Sequence, residues 1–179
     1  MCLFFLSCIV GYYLITQFII LKAFPPLLSI STKALFLGTF PSVVSLNKQC
    51  YYGNSQNKFW KLVYDVFKEP FENEYQKRIS FLHSKDFGLW DVIANCEREG
   101  SLDTAIRNIK INDFETLLRE YPHIKTFYFT SKKAYTWCDY RLYKDSLNVE
   151  LVLLASPSPA NTLLSYDAKL ADWIEKIKV

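Results

Sequence analysis

The chain has 179 residues, of which 50% are hydrophobic and 17% aromatic, so it is long enough for one domain with a buried core and too apolar to be disordered. Its formal net charge of +3 is too small to demonstrate nucleic-acid binding but is compatible with a local basic rim. The chain has five cysteines without a C-x-x-C pair, which argues against a disulfide framework and favours a reducing cytoplasm. Its two histidines are remote from other possible ligands, which argues against a metal site. We expect no cofactor.

The first residues form a separate hydrophobic segment. Residues 2–21 carry no charge, are followed by Lys22, and are numerous enough to span a bilayer. The segment lacks the basic start and small-residue end of a signal peptide. It is either a membrane anchor or a segment that is not translated, because the true start of translation lies near Lys22. We favour the second interpretation, because the chain after Ala23 has the pattern of a soluble domain, and we divide it into a hydrophobic segment, 1–22, and a domain, 23–179. The expected location is then the cytoplasm.

From Ala23 onward, predicted strands and helices alternate along the chain. Apolar and β-branched runs predict the strands, and apolar residues at helical spacing predict the helices. The predicted strands are Ala34–Leu37, Leu89–Ala94, Ile124–Phe129 and Val149–Leu154, and the predicted helices are Phe59–Phe67, Glu74–Ser84, Phe114–Tyr121, Ser131–Leu142 and Tyr166–Ile177. Asn112 or Asp113 is the predicted cap of the third helix. We predict loops from Gly38 to about Gln56 and, with a short helix as the alternative, over Cys96–Asn108.

This alternation predicts the class of fold. Strands joined through helices form βαβ units, so we expect a three-layer α/β/α domain with a mostly parallel, about four-stranded central sheet. Ligands of such sheets bind outside the carboxyl ends of the strands. The loops after Leu37, Phe129 and Leu154 are therefore expected to carry the function.

The first of these loops, Gly38–Trp60, combines features suited to holding a planar ring. It begins Gly38-Thr39-Phe40-Pro41-Ser42, in which the glycine permits close approach of the backbone to a ligand and the proline fixes the following turn. Tyr52, in a tyrosine pair, offers a flat apolar surface, and Asn57 can both donate and accept hydrogen bonds. The alternative is a packing loop whose aromatic residues are core and whose Asn57 caps the next helix.

The second loop is Ser156-Pro157-Ser158-Pro159-Ala160-Asn161, directly after a predicted buried strand. Two prolines between small residues produce a stiff, low-profile turn, which suits contact with a phosphodiester backbone. An ordinary strand-to-helix connection is the alternative, since proline and serine are common there.

Taken together, these segments resemble the hypoxanthine-DNA glycosylase (DNA-deoxyinosine glycosylase) family of the uracil-DNA glycosylase superfamily. The resemblance covers Phe24–Ile177. Ala34–Trp60 is similar to the family's first motif, GSFPS…S…YY…N-x-FW, and Ser156–Asn161 to its second, STSPAN, with Pro157 in place of threonine. The segments Gly88–Val92 and Cys96–Asp103 resemble its intervening block. The mismatch-specific uracil glycosylases are more distant, since they carry an asparagine within the turn where this chain has Thr39-Phe40.

The resemblance implies a fold, an activity and a set of site residues. The fold would be uracil-DNA glycosylase-like, and the activity hydrolysis of the N-glycosidic bond of a deaminated base, above all hypoxanthine, in base-excision repair. Asn57 would carry the polar catalytic role, by orienting water or bonding the base, and Tyr52 would stack on the base. Backbone amides around Gly38, Thr39, Phe40, Pro41 and Ser42 would receive the base or a phosphate. The loop Ser156–Asn161 would bind DNA, with Ser158 meeting a phosphate.

Other polar residues have less certain roles. Related enzymes carry an asparagine–glycine pair after the third strand, where this chain has Thr130-Ser131. Thr130 is expected to form a hydrogen bond to the base through its hydroxyl or backbone. Lys132 and Lys133 either contribute to the site or face water. Asp91 is a candidate general base, with a buried partner for Arg98 as the alternative. Glu97, Arg98 and Asp103 are expected to pin the central loop.

The predicted enzyme is monofunctional. The candidate site residues include no lysine, so a Schiff-base intermediate and strand nicking are not expected. DNA with a deaminated base is the expected partner, bound by a monomer without an obligate protein partner or a metal. The alternatives are a uracil- or mismatch-type glycosylase, a catalytically silent DNA-binding member of the fold, and a membrane-tethered protein.

Overall fold

A computed structural model describes residues 20–141 and 149–178 of the chain. Its strands are β1 Ile20–Lys22, β2 Ala34–Gly38, β3 Phe87–Asp91, β4 Ile93–Glu97, β5 Arg107–Ile111, β6 Thr126–Phe129 and β7 Glu150–Leu153. Its helices are α1 Val43–Lys48, α2 Phe59–Val66, α3 Tyr75–Ser84, α4 Phe114–Glu120, α5 Lys132–Arg141 and α6 Tyr166–Lys176, with a short 3₁₀ helix at Asp103–Ala105. Nearly all of the hydrophobic segment 2–21 lies outside the described residues, and no helix within them is long and apolar enough to cross a membrane.

The centre of the domain is a four-stranded parallel sheet in the order β3-β2-β6-β7. Strand β2 lies in the middle and is buried along its whole length, because its neighbours β3 and β6 pair with it on both edges and helices cover both faces. Continuous apolar sequence is what such a strand requires. The predicted three-layer α/β/α fold with a mostly parallel sheet is confirmed.

Alternate residues of β2 pack into two separate cores. Phe36 lies against Phe59 of α2 and Trp173 of α6, with ring centroids 5.4 and 5.6 Å apart. On the opposite face, Leu35 and Leu37 join a cluster that includes residues of α4 and α5. The sheet is thus held from both sides, so the positions of the residues at its carboxyl edge are fixed by the packing of the domain.

A second, smaller sheet was not predicted. It consists of β1, β4 and β5, all antiparallel, and it packs through a separate cluster that includes Phe40, Ile93, Cys96 and Ile106. The predicted strand Leu89–Ala94 is therefore wrong as a single element, because the chain passes from one sheet to the other at Val92.

The connection predicted over Cys96–Asn108 is wrong at its edges, since it contains the end of β4 and the start of β5, but the short helix predicted as its alternative is present at Asp103–Ala105. A strand before the predicted domain was also not predicted, and several predicted elements differ at their ends. Strand β1, Ile20–Lys22, pairs with β4, so the last residues of the N-terminal segment form part of the small sheet. Helix α5 begins at Lys132, and the predicted end at Leu142 falls outside the described residues.

Helix α1, Val43–Lys48, was not predicted, and it occupies part of the loop predicted after β2. Ser42 caps it by accepting a hydrogen bond from the amide of Ser45 at 3.1 Å, and Gln49 ends it in the left-handed conformation with φ 52°. The cap predicted for the helix at Phe114 is confirmed for Asp113, whose carboxylate accepts from the amide of Thr116.

Candidate active site

A cleft of about 560 Å³ lies at the carboxyl edge of the central sheet. This volume is in the range that holds a small planar ligand. Every site residue predicted from the sequence lines it: Gly38, Thr39, Phe40, Pro41, Ser42, Tyr52, Asn57, Thr130, Ser131, Ser156, Pro157, Ser158, Pro159, Ala160 and Asn161. The loops after β2, β6 and β7 converge there as predicted, and a fourth segment joins them at the end of β3, which contributes Asp91.

Gly38 lies where the cleft leaves no room for a side chain. A Cβ atom on this residue would collide with Oδ1 of Asp91 and would lie 3.3 Å from the Tyr52 hydroxyl. The close approach therefore explains the glycine, and it brings the Asp91 carboxyl and the Tyr52 hydroxyl together beside the backbone of β2.

The Tyr52 ring is fixed on one face by Phe59. The two rings are parallel within 7° and their centroids are 3.7 Å apart, while the Tyr52 backbone adopts φ 53°. The Tyr52 hydroxyl lies 2.9 Å from Oγ1 of Thr130, which itself donates to the carbonyl of Leu37 at 3.2 Å. Because the single Thr130 proton is engaged there, Tyr52 is the donor to Thr130. Only the face or edge of Tyr52 away from Phe59 can contact a ligand.

Asn57 is oriented by the start of helix α2. Its Oδ1 accepts a hydrogen bond from the amide of Phe59, two residues on, at 2.9 Å. The predicted alternative, in which Asn57 caps the helix, is wrong, because the cap position is Lys58 and no side chain caps this helix. The contact with Phe59 fixes which end of the side-chain amide is the oxygen. The Nδ2 group is on the opposite branch and has no hydrogen-bond partner among the described residues. Asn57 thus combines an oxygen held by the turn before α2 with a free donor at the cleft.

Asp91 is buried at the end of β3, with 4% of its surface exposed. Its Oδ2 atom is buried and accepts no hydrogen bond from any described residue. Burial, together with the negative charge of Asp103, raises the pKa of Asp91 to about 8, although Arg98 opposes the shift. No ion pair joins Asp91 to Arg98 in the part of the chain that the structure describes, so the alternative role as the buried partner of Arg98 is wrong.

Arg98 instead contacts the turn at the start of the first loop. Its Nη2 donates to the carbonyl of Pro41 at 2.5 Å, and its guanidinium lies 4.9 Å from the centre of the Phe40 ring. Nε and Nη1 are buried and have no partner among the described residues. The prediction that Arg98 pins the central loop agrees with these contacts.

Asp103 connects three segments around the cleft. Its Oδ2 accepts from Oγ1 of Thr39 at 2.6 Å, and Ser131 lies 2.8 Å from the same Thr39 oxygen. Thr39 donates to the carboxylate, and the Ser131 hydroxyl is placed to donate to Thr39 or, at 3.4 Å, to the same carboxylate oxygen. The backbone carbonyl of Asp103 also accepts from Nζ of Lys133. Asp103 thus holds the loops after β2 and β6 against the 3₁₀ helix, in agreement with its predicted pinning role.

The second loop is stiffened by its own backbone and by two neighbours. Asn161 donates to the carbonyl of Ser158 through its amide, at 3.1 Å, and to the carbonyl of Ser156 through Nδ2, at 3.3 Å. The carbonyl of Pro157 accepts from the amide of Lys58 at 3.0 Å, which joins this loop to the start of α2. Nζ of Lys169, on α6, donates to the carbonyl of Asn161 at 2.8 Å.

Comparison with known proteins identifies the family. The sequence profile of the uracil DNA glycosylase superfamily matches residues 25–178. The chain belongs to the uracil DNA glycosylase superfamily. The resemblance inferred from the two loop motifs is confirmed.

The superfamily members most informative for this chain come from two archaea. The hypoxanthine DNA glycosylase of Methanosarcina barkeri is 34% identical over 158 residues, which cover 88% of this chain and 98% of the relative. The hypoxanthine DNA glycosylase of Methanosarcina acetivorans is 35% identical over 153 residues, covering 85% and 94%. A solution NMR structure from M. acetivorans, assigned as a uracil DNA glycosylase, matches with a TM-score of 0.76 and 34% identity over 88% of this chain and 96% of that chain.

Several cleft residues of this superfamily member were not singled out by sequence. Leu102 lies on the rim with 63% of its surface exposed, and Asn54, Ser101 and Thr104 also line the cleft. Asn54 lies within the predicted first loop, and the others lie in or beside the segment Cys96–Asp103, but no feature of the sequence marked these individual residues. Lys169 was missed because it lies on a helix, although an amphipathic helix that buries a lysine is a detectable signal.

The described residues contain no group of three or more histidine, cysteine, aspartate or glutamate side chains that could hold a metal ion. The cleft is lined by hydroxyl, amide, carboxyl and backbone groups, together with aromatic rings.

Proposed function

We propose that the chain is a monofunctional DNA glycosylase that hydrolyses the N-glycosidic bond of deoxyinosine in DNA and releases hypoxanthine, as a first step of base-excision repair. The observation that carries the proposal is the convergence of Gly38–Ser42, Asn57 and Ser156–Asn161 on one cleft, in a chain 34% and 35% identical to two hypoxanthine DNA glycosylases. We place this activity in the cytoplasm and assign it to a monomer.

The cleft suits a base that has left the stack of the duplex. A glycosylase can reach the glycosidic bond only after the nucleotide rotates out of the helix into a pocket. The space of about 560 Å³ is bordered mainly by aromatic and small polar residues, and the acidic and basic side chains on its lining are those of Asp91, Asp103 and Lys132. The Tyr52 ring, fixed by Phe59 on one face, supplies a rigid surface for a purine at small entropic cost.

Asn57 contributes to catalysis as a hydrogen-bond donor. As the bond between C1′ and N9 breaks, the base takes the electron pair and becomes negatively charged. Because Oδ1 of Asn57 is held by the amide of Phe59, Nδ2 is the group available to stabilise that charge. This geometry favours a contact between Nδ2 and the base, because Nδ2 is the unengaged end of the side chain while Oδ1 already accepts from Phe59.

The loop Ser156–Asn161 binds the DNA backbone around the extruded nucleotide. Its internal hydrogen bonds and its contact with Lys58 fix its shape before DNA arrives, so little ordering is required on binding. Ser158 is the residue assigned to a phosphate. Leu102 on the opposite rim supplies an exposed apolar side chain against the duplex.

The proposed reaction stops at an abasic site. Lys132 lies at the edge of the cleft, but it is exposed on the first turn of α5, and the residues assigned to the base include no amine. A Schiff base would require an amine close to C1′. Incubation with borohydride should therefore trap no protein–DNA adduct, and a trapped adduct would refute the monofunctional mechanism.

The base preference is tested with duplexes that carry deoxyinosine, deoxyuridine or deoxyxanthosine at the same position. Purified protein should release hypoxanthine faster than uracil or xanthine under single-turnover conditions. Faster release of uracil would show that uracil, not hypoxanthine, is the preferred base. DNA binding without release of any base would show that the protein is a catalytically silent DNA-binding member of the fold.

A further inference from the structure

Asp91 has no assigned role in the mechanism above, although it lies in the cleft. Its side chain is buried at the end of β3, its Oδ2 atom has no partner among the described residues, and its carboxyl group adjoins Gly38 and the Tyr52 hydroxyl. An unpaired buried carboxyl group is costly to the fold, so its presence at a ligand cleft points to a partner that arrives with the substrate.

The surroundings of Asp91 favour its neutral form. The charged or titratable groups that act on it are Asp103, Arg98, Tyr51 and Tyr52. Asp103 repels a negative charge, and Arg98 is engaged with the carbonyl of Pro41 and the Phe40 ring instead of forming an ion pair. Neither tyrosine supplies a positive charge. Burial without a counter-ion is the condition under which a carboxylic acid retains its proton near neutral pH.

We propose that Asp91 acts as a neutral carboxylic acid that donates a hydrogen bond, and finally its proton, to the base as it leaves. This inference rests on the proposed glycosylase function and adds a second donor beside Nδ2 of Asn57. Both groups line the same cleft, and both would face a base held next to Gly38.

The step balances as follows. The C1′–N9 bond breaks with both electrons going to the base, and a water oxygen forms a bond to C1′ and releases a proton to solvent. The proton of Asp91 passes to the base, which departs neutral, and the carboxylate recovers a proton from solvent after release. An ionised Asp91 would place a negative charge beside the negative charge that develops on the base, which opposes the reaction.

A general base would show the opposite behaviour. In that role, Asp91 would have to be ionised to take a proton from the attacking water, so activity would rise as Asp91 loses its proton. The donor role predicts that activity falls with the same titration. The direction of the pH dependence therefore separates the two mechanisms.

The experiment measures single-turnover release of hypoxanthine by chromatography between pH 5.5 and 9.5. Wild-type protein should lose about tenfold in rate per pH unit above its alkaline midpoint. Asp91→Asn retains a neutral donor and should lose this alkaline limb while keeping the rate at pH 7 within about tenfold of wild type. Asp91→Leu, which has no donor, should be slower than Asp91→Asn at every pH. Asp167→Asn, an exposed carboxyl on α6, is the matched control and should keep the wild-type profile.

A further variant tests the electrostatic cause. Asp103→Asn removes the repelling charge and should move the alkaline limb to lower pH. An alkaline limb that remains in Asp91→Asn would come from the base itself and would overturn the proposal. A wild-type rate that rises through the titration, with loss of activity in Asp91→Asn, would establish a general base instead.

A spectroscopic measurement separates this inference from the proposed function and needs no active variant. The ¹³C resonance of the Asp91 carboxyl group, in protein labelled at aspartate, should show the protonated form at pH 6.5. An ionised carboxyl at that pH would overturn the donor role even if hypoxanthine is released. A protonated carboxyl in a protein that releases no base from any substrate would instead refute the proposed function, and the catalytic role with it.

Discussion

Replacing Asp91 with asparagine should change how the stability of the protein depends on pH. The pKa of Asp91 in the folded protein is raised to about 8, whereas the pKa of an unperturbed aspartate carboxyl is 3.8. Between these pH values the folded state binds a proton that the unfolded state has lost, so wild-type stability falls as pH rises. The slope is about 1.4 kcal/mol per pH unit, which gives about 3 kcal/mol between pH 5 and pH 7.

The variant lacks this titration, so its stability relative to wild type should improve by about 3 kcal/mol over the same interval. The absolute stability at one pH also contains the new contacts of the asparagine, which makes the change with pH the informative quantity. Urea-induced unfolding at pH 5, 6 and 7, followed by fluorescence of the buried Trp60 and Trp173, measures it. If the free energy of unfolding depends on pH in the same way in wild type and Asp91→Asn, the assignment of a proton to Asp91 in the folded state is refuted. The control Asp167→Asn should show the same pH dependence as wild type.

Three further substitutions test other parts of the site. Asn57→Ala should raise the barrier by about 2–4 kcal/mol, or about 30- to 1000-fold in single-turnover rate, because it removes a donor to the leaving base. Gly38→Ala should abolish most base release while leaving DNA binding, because the new methyl group collides with the carboxyl of Asp91. Lys169→Met should weaken DNA affinity about fivefold in fluorescence anisotropy, because it removes the hydrogen bond that holds the carbonyl of Asn161.

Each of these changes has a control on the same chain. Asn73→Ala and Lys178→Met alter exposed residues far from the cleft and should leave base release and DNA affinity unchanged. In Gly53→Ala the new Cβ atom would lie 3.2 Å from the carbonyl oxygen of Cys50, which is a moderate clash in the same loop. The loss of base release should therefore be smaller than in Gly38→Ala. Equal effects in a variant and its control, or an unchanged rate in Asn57→Ala, would remove that residue from the proposed mechanism.

The central sheet was predictable because its signal is local. Strands buried on both faces must be continuously apolar, and Phe127 and Phe129 alternate with Tyr128 across β6 into the two cores. The helix at Phe114 was equally clear, since Asp113 supplies a cap that depends on neighbouring residues only.

The small sheet was not predictable from the same signals. Strand β5, Arg107–Ile111, is largely exposed, so it has no alternation of apolar and polar residues. Its strand conformation comes from pairing with β4, which is an interaction between distant segments. Helix α1 was missed because six residues are too few to show a helical period.

The candidate site was predictable as a set of residues but not in its geometry. The motifs and the expected sheet edge placed Asn57 and the second loop together, and the structure agrees. That Oδ1 of Asn57 is engaged, and that Asp91 is buried without an ion pair, depends on how distant elements pack. No pattern in the sequence of β3 distinguishes an aspartate that pairs with Arg98 from one that stays neutral.

The most direct test of the central claim is the fate of a duplex with a single deoxyinosine after one turnover. Free hypoxanthine and the length of the DNA strand are measured in the same reaction. The proposed function predicts one hypoxanthine for each abasic site, a strand that stays intact until alkali is added, and loss of both products in Asn57→Ala. Bound DNA with no free base, or a strand cut before alkali, would contradict it.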